Sequence, residues 1–215
     1  MPTSRPGQPA RRAHGRRNAP PGGTAPDLRE TILAATARLL ADHSFTDLAV
    51  SDVLIAAGVS RGTFYFYFDS KQAVLGELVR RAVAQGHAAA APWLANPADP
   101  IAALRAGTTA GAKLWQASAP VLRAIVENWR TDPRLTSLWL EQMQTFTDAA
   151  IAQITADPRA QQTLAGQDIK AVASALTWLS ERLYYLAATS TPPFDNQDTL
   201  VNTLVYIWAS ALYRA

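Results

Sequence analysis

The sequence predicts an all-α protein, and three observations carry that prediction. Apolar residues recur at spacings of three and four along most of the chain, while no run of strand length alternates convincingly between apolar and polar. Alanine, the best helix former, is abundant. Several expected helix starts consist of an aspartate followed by proline, an N-cap with proline in the first turn.

Taken in order, the first helix is expected from Asp27, with Glu30 completing a capping box and Leu28, Ile32, Ala35 and Leu39 on its apolar face, ending near His43. A short second helix should run from Ser51 to Ala57. Gly58-Val59 makes a turn, and Ser60 caps a brief third helix ending near Tyr67. Asp69 or Ser70 caps a fourth, whose Val74, Leu75, Leu78, Val79 and Val83 form a stripe running towards Ala91, before Pro92. Asp99-Pro100 opens a fifth and Pro120 a sixth; Asp132-Pro133 opens a long seventh that Asp157-Pro158 ends. Asp168 caps an eighth, broken by Pro192-Pro193, and the last is expected from Asp195 to Tyr213. About nine helices result, without an internal repeat.

Composition narrows the function. The chain lacks cysteine, which excludes disulfide scaffolds, zinc ribbons and thiol nucleophiles, and its three histidines are scattered. No nucleophile–base pair, metal cluster or glycine-rich phosphate loop is apparent, so neither an enzyme nor a cofactor is expected. The net charge of +3 is unevenly spread: Arg5, Arg11, Arg12, Arg16 and Arg17 crowd residues 1–26, which hold no acid, six prolines and four glycines. Such a tail is expected to be disordered in isolation and drawn to phosphate. No apolar region follows its arginine pairs, so it does not read as an export signal. The longest membrane candidate, residues 199–213, is uncharged but holds Asn202 and Ser210 and falls short of the roughly 20 residues that span a bilayer. A cytoplasmic protein without a membrane partner is expected.

The segment 27–72 has the proportions of a helix-turn-helix behind a supporting first helix. Residues 56–74 read Ala-Ala-Gly-Val-Ser-Arg-Gly-Thr-Phe-Tyr-Phe-Tyr-Phe-Asp-Ser-Lys-Gln-Ala-Val. This stretch resembles the signature of TetR-type bacterial transcriptional repressors. The basic tail, the Glu181-Arg182 pair and the Ile207-Trp208 pair agree with that resemblance. It implies a DNA-reading head over 27–72 and a ligand-binding and dimerisation domain over 73–215. It also implies a homodimer through the last two helices, a double-stranded DNA operator, and a small apolar or aromatic effector that releases it. The family usually places serine or threonine where this chain has Ala49, and often proline where it has Asp69.

In such a motif the third helix enters the major groove. Ser60, Arg61, Gly62, Thr63, Tyr65, Phe66 and Tyr67 are the candidate DNA-reading residues: Arg61 for a guanine edge or a phosphate, the hydroxyls for phosphates or base edges, Phe66 for a thymine methyl. Lys71, beside free amides at the start of the fourth helix, is a candidate phosphate ligand. Thr46 or Ser51 is expected to supply the phosphate-binding hydroxyl that Ala49 does not have, and Arg16 and Arg17 are the arm residues nearest the head. The plainer alternative is that the aromatic run is core, as expected for Phe64 and Phe68, that the charges are ordinary surface, and that the tail only solubilises.

All six tryptophans follow residue 81. Trp115, Trp139, Phe146, Trp178 and Trp208 are expected to converge from several helices, with Thr108, Thr177 and Ser180 as polar points and Gly107, Gly111 and Ala112 leaving room. The candidate pocket comprises Leu104, Thr108, Gly111, Trp115, Trp139, Met143, Phe146, Thr177, Ser180 and Trp208. The same residues would equally fill a solid core. Tyr184, Tyr185, Leu186, Val201, Val205 and Leu212 make the last two helices apolar around their circumference, so these helices are expected either to be buried or to pair with another copy. The competing readings are a helical ligand-binding protein that does not bind DNA, and a helical enzyme.

Overall fold

Aspartates set four of the helix starts. In the computed structural model, which describes residues 25–95 and 97–213, Asp99 Oδ1 accepts from the amides of Ile101 and Ala102 at 3.1 and 3.0 Å. Asp132, Asp157 and Asp168 do the same for Arg134, Arg159 and Lys170 at 2.8, 3.0 and 2.9 Å. Each cap satisfies an amide that has no partner inside the helix, a contribution of about 1 kcal/mol.

The described residues form ten helices and no strand: α1 (Ala25–Asp42), α2 (Val50–Ala57), α3 (Arg61–Tyr67), α4 (Lys71–Leu94), α5 (Pro100–Ala117), α6 (Ala119–Asn128), α7 (Pro133–Ala156), α8 (Pro158–Thr163), α9 (Ile169–Ala188) and α10 (Gln197–Tyr213). The helix beyond the expected nine is α8. Asp157-Pro158 both stops α7 and starts α8, because proline interrupts the preceding hydrogen bonds yet suits a first turn. Three further expectations are corrected. Helix α1 begins at Ala25, so Glu30 does not close a capping box; its carboxylate accepts from both terminal nitrogens of Arg81, at 2.6 and 2.8 Å. Helix α4 passes through Pro92 to Leu94. Helix α10 begins at Gln197 rather than Asp195. Of the two candidate caps for α4, Ser70 serves, accepting from the Ala73 amide at 3.2 Å.

The head consists of α1–α3 and the start of α4. Its turn is built on Gly58, whose φ of 63° is left-handed and whose amide donates back to Ile55 O while that of Val59 reaches Leu54 O. Ile32, Phe45, Val53, Phe64, Phe68 and Val74 fill the space beneath. That cluster does not stop at residue 72. It continues through Leu75, Val79 and Val83 of α4 to Ile125 of α6 and Leu135 and Trp139 of α7. Arg29 and Glu30 of α1 and Glu77 and Arg81 of α4 form an ion-pair network over the same seam. The body packs α5, α6 and α7 against α4, with α9 against α5, α6 and α7, and α10 against α5, α8 and α9. No helix among the described residues is long and apolar enough to cross a membrane.

Candidate nucleic-acid interface and ligand cavity

Helix α3 is only two turns long, and its orientation is set by what it buries. Phe64 is fully enclosed and Phe68 nearly so. Ser60 Oγ accepts from the Thr63 amide at 3.1 Å and shares a hydrogen with Thr63 Oγ1 at 2.9 Å, closing the first turn. With Phe64 locked inward, helical geometry turns the rest of the run outward: Tyr65 is 44% exposed and Phe66 53%. Arg61, one turn before Tyr65, lays its guanidinium 5.5 Å from the centre of that ring. Gly62 lies between them, and a methyl group there would meet nothing nearer than Ser60 Oγ at 3.8 Å. The protein itself therefore has no steric need for glycine at this position. Ser51 is exposed on the first turn of α2. Ala49 offers no side-chain cap, but its own amide donates to Asp52 Oδ2 at 2.8 Å, which keeps half of a capping box.

Three candidates are turned to other tasks. The Lys71 ammonium donates to the carbonyls of Phe45, Thr46 and Leu48 at 2.9, 3.0 and 2.7 Å and lies 4.8 Å from the Phe45 ring centre. All three of its hydrogens are engaged, and burial holds its pKa below the usual lysine range. The expected Lys71–phosphate contact is thus corrected: this cation clamps the α1–α2 loop. Thr46 is corrected likewise, since its hydroxyl donates to Asn128 Oδ1 of α6 at 2.9 Å. The Tyr67 hydroxyl is buried without a partner among the described residues, its ring edge-on to Phe66, so it does not present a hydroxyl to a groove. Arg16 and Arg17 lie outside the described residues.

A cavity of about 190 Å³ opens between α4, α5, α7 and α9, with Trp208 of α10 on its wall. All ten candidate pocket residues line it: Leu104, Thr108, Gly111, Trp115, Trp139, Met143, Phe146, Thr177, Ser180 and Trp208. Trp178, expected to converge with them, instead packs towards Trp129, ring centres 6.4 Å apart. Sequence reasoning missed the α4 wall, including Gly86, Ala89 and Ala90, as well as Glu181 and Tyr184. The small residues of α4 were a readable signal, because alanine and glycine facing a bundle interior leave space.

Glycine makes the cavity's shape. A Cβ on Gly111 would stand 2.7 Å from Tyr184 Oη, and one on Gly86 would stand 3.1 Å from Phe146 Cζ. The Tyr184 hydroxyl donates to Thr108 O at 3.2 Å, and burial pushes its pKa well above the ordinary phenol value. Trp115 stacks on Tyr184 and His87 on Phe146. Trp208 Nε1 donates to Ser180 Oγ at 2.9 Å. Three polar groups are left over. Trp139 Nε1 and Thr177 Oγ1 are buried without a partner among the described residues. The Glu181 carboxyl, 5% exposed, makes no hydrogen bond or ion pair with the described residues, and burial raises its pKa.

Comparison with known proteins agrees with this geometry. Residues 32–78 match the profile of bacterial regulatory proteins of the tetR family, and residues 104–214 that of the C-terminal domain of transcriptional regulator EthR. The HTH-type transcriptional regulator EthR of Mycolicibacterium smegmatis is 32% identical over 207 residues, covering 94% of this chain and 93% of that protein. Its namesake from Mycobacterium tuberculosis is 34% identical over 205 residues, covering 93% and 92%. The chain belongs to the TetR family. As a TetR-family protein of the EthR-like kind it is a DNA-binding transcriptional regulator and not an enzyme. Solved structures share the fold. The fatty acid degradation regulator FadR from Bacillus halodurans has a TM-score of 0.69 at 16% identity, covering 89% of this chain and 96% of that one. Salmonella enterica GusR has 0.67 at 17%, covering 86% and 95%.

Proposed function

We propose that the chain acts as a homodimeric repressor that inserts α3 into the major groove of a pseudo-palindromic operator and leaves it when a small apolar or aromatic molecule enters the bundle cavity. The observation that carries the DNA half is the outward face of α3. Arg61, Tyr65 and Phe66 stand in solvent beside a glycine the fold does not need. Two exposed aromatics flanked by a stacked guanidinium suit base edges and thymine methyls, and Gly62 lets the helix backbone lie close to the duplex. Ser60 and Ser51 supply hydroxyls at the two helix starts.

Pairing through α9 and α10 is supported by apolar surface left open in a single chain, where Val172, Leu179 and Leu186 and, on α10, Ile207 and Ala211 are only half-buried. A two-fold axis there sets the two copies of α3 about one DNA turn, roughly 34–36 Å, apart or somewhat more. Helix α4 is the mechanical link: its first turn clamps the head loop through Lys71 and its last turns form the cavity wall. A ligand wedging α4 away from α5 and α7 displaces that loop and α3 together, and it does so only as far as it binds the displaced state better.

Selection of bound fragments from random duplex DNA by the full-length protein tests the reading. A two-fold motif whose enrichment disappears with Arg61→Ala supports it, and recovery of no motif overturns it.

A further inference from the structure

We infer that the cavity selects a lipophilic amine, its protonated nitrogen held by Glu181 and its apolar body lying among the tryptophans. This rests on the reading of the cavity as an effector site. Among the described residues, Glu181 is the one carboxyl on a wall that carries no lysine or arginine. It sits one helical turn after Thr177, so the carboxyl and the unpartnered Thr177 hydroxyl lie on the same face of α9. The nearest cation in sequence, Arg182, is exposed and lays its guanidinium over the Tyr185 ring; its charge favours the ionised Glu181 but is outweighed by burial.

A carboxyl taken out of water without a partner is unfavourable in its charged form, and a ligand that supplies a cation and N–H donors removes that penalty on binding. An ammonium has three hydrogens; Glu181 and Thr177 both offer oxygen acceptors for them. Trp115, Trp139 and Trp208 line the same cavity, and an indole ring attracts a cation brought over its face. Trp139 Nε1–H is a donor and does not compete for that head group. His87, stacked on Phe146 behind the wall, has its pKa lowered by burial and so adds no positive charge near neutral pH. The same arrangement disfavours fatty acids, because a ligand carboxylate would meet a second carboxyl.

Titration of the full-length protein with phenylbutylamine, phenylbutanol and phenylbutyrate, followed by tryptophan fluorescence, tests the assignment. The expected order is amine tighter than alcohol by at least about tenfold, with the acid weakest. In Glu181→Gln the amine is expected to fall to the affinity of the alcohol, while the alcohol changes by less than about threefold; Thr177→Val is expected to lower only the amine, and by less. Equal affinity of amine and alcohol in the wild-type protein overturns the amine assignment and leaves an apolar effector site standing, and so does an amine preference that survives Glu181→Gln. Binding of none of the three overturns both. An amine that binds as expected yet leaves operator affinity unchanged supports the assignment and refutes the release mechanism.

Discussion

Glu181 holds its proton more tightly in the folded chain than in the unfolded one, because burial penalises its charged form. The sign follows from linkage. Stability from this group is fully present below the ordinary carboxyl value of 4.5 and is lost as pH rises through the higher folded value. Glu181→Gln removes that dependence while leaving the oppositely shifted Glu30, Glu77, Asp132 and Asp157 unchanged. The stability of wild type relative to this variant should therefore decline as pH rises above 4.5, read by urea unfolding; a constant difference would mean the carboxyl is solvated. Gly62 gives the complementary case of a residue the fold does not require. Gly62→Ala should stabilise α3 by up to about 0.5–1 kcal/mol, raising Tm, while weakening operator binding, because in the proposed docking the added methyl would stand against the duplex. If affinity held while Tm rose, Gly62 would have no part in DNA contact.

At the level of elements, the loop between α1 and α2 shows how a helix-turn-helix head is held to its body. Lys71 grips three of the loop's carbonyls from α4, and Asn128 takes the Thr46 hydroxyl from α6. Neither interaction could be read from the chain, since Thr46 and Asn128 are 82 residues apart and a lysine at a helix start resembles a phosphate ligand until its partners are seen. Helix α5 offers a sharper test of packing. Gly111→Ala places a methyl 2.7 Å from Tyr184 Oη, so one helix must yield, at a cost of about 1–3 kcal/mol. Tyr184→Phe in the same chain should recover part of that stability, because the Oη clash disappears while Cζ remains close. Additive effects in thermal melts of the single and double variants would show that α5 shifts without pressing on Tyr184.

For the whole molecule, the shared core matters most. The residues beneath α3 belong to the same cluster as Ile125 and Leu135, so head and body are a functional division more than a packing one. A fragment ending at residue 72 removes Val74, Leu75 and Val79, all fully buried, and leaves Ile32 and Phe64 facing water. It should show no cooperative thermal transition by circular dichroism, whereas the full chain unfolds in one; a cooperative melt of the fragment would establish an independent head. The same continuity gives a ligand in the body a path to α3, since α4 belongs to both.

Much of this was determined along the chain itself. Helix periodicity, the Asp-Pro starts, the Gly58 turn and the aromatic run around Phe64 are local signals, and a helix answers mainly to its own residues and its apolar stripe. Their spacing was enough for the fold class and the helix-turn-helix; the residues of the stretch 56–74 carried the family resemblance, and with it the scattered tryptophans pointed to ten residues that the structure does gather around one cavity. Direction was decided only in three dimensions. Whether Lys71 points at solvent or at a loop, whether Tyr67 shows its hydroxyl, and whether Glu181 has a partner depend on helices far away in sequence. Burial and hydrogen bonding are properties of the assembled neighbours, and periodicity names a face without saying what lies opposite.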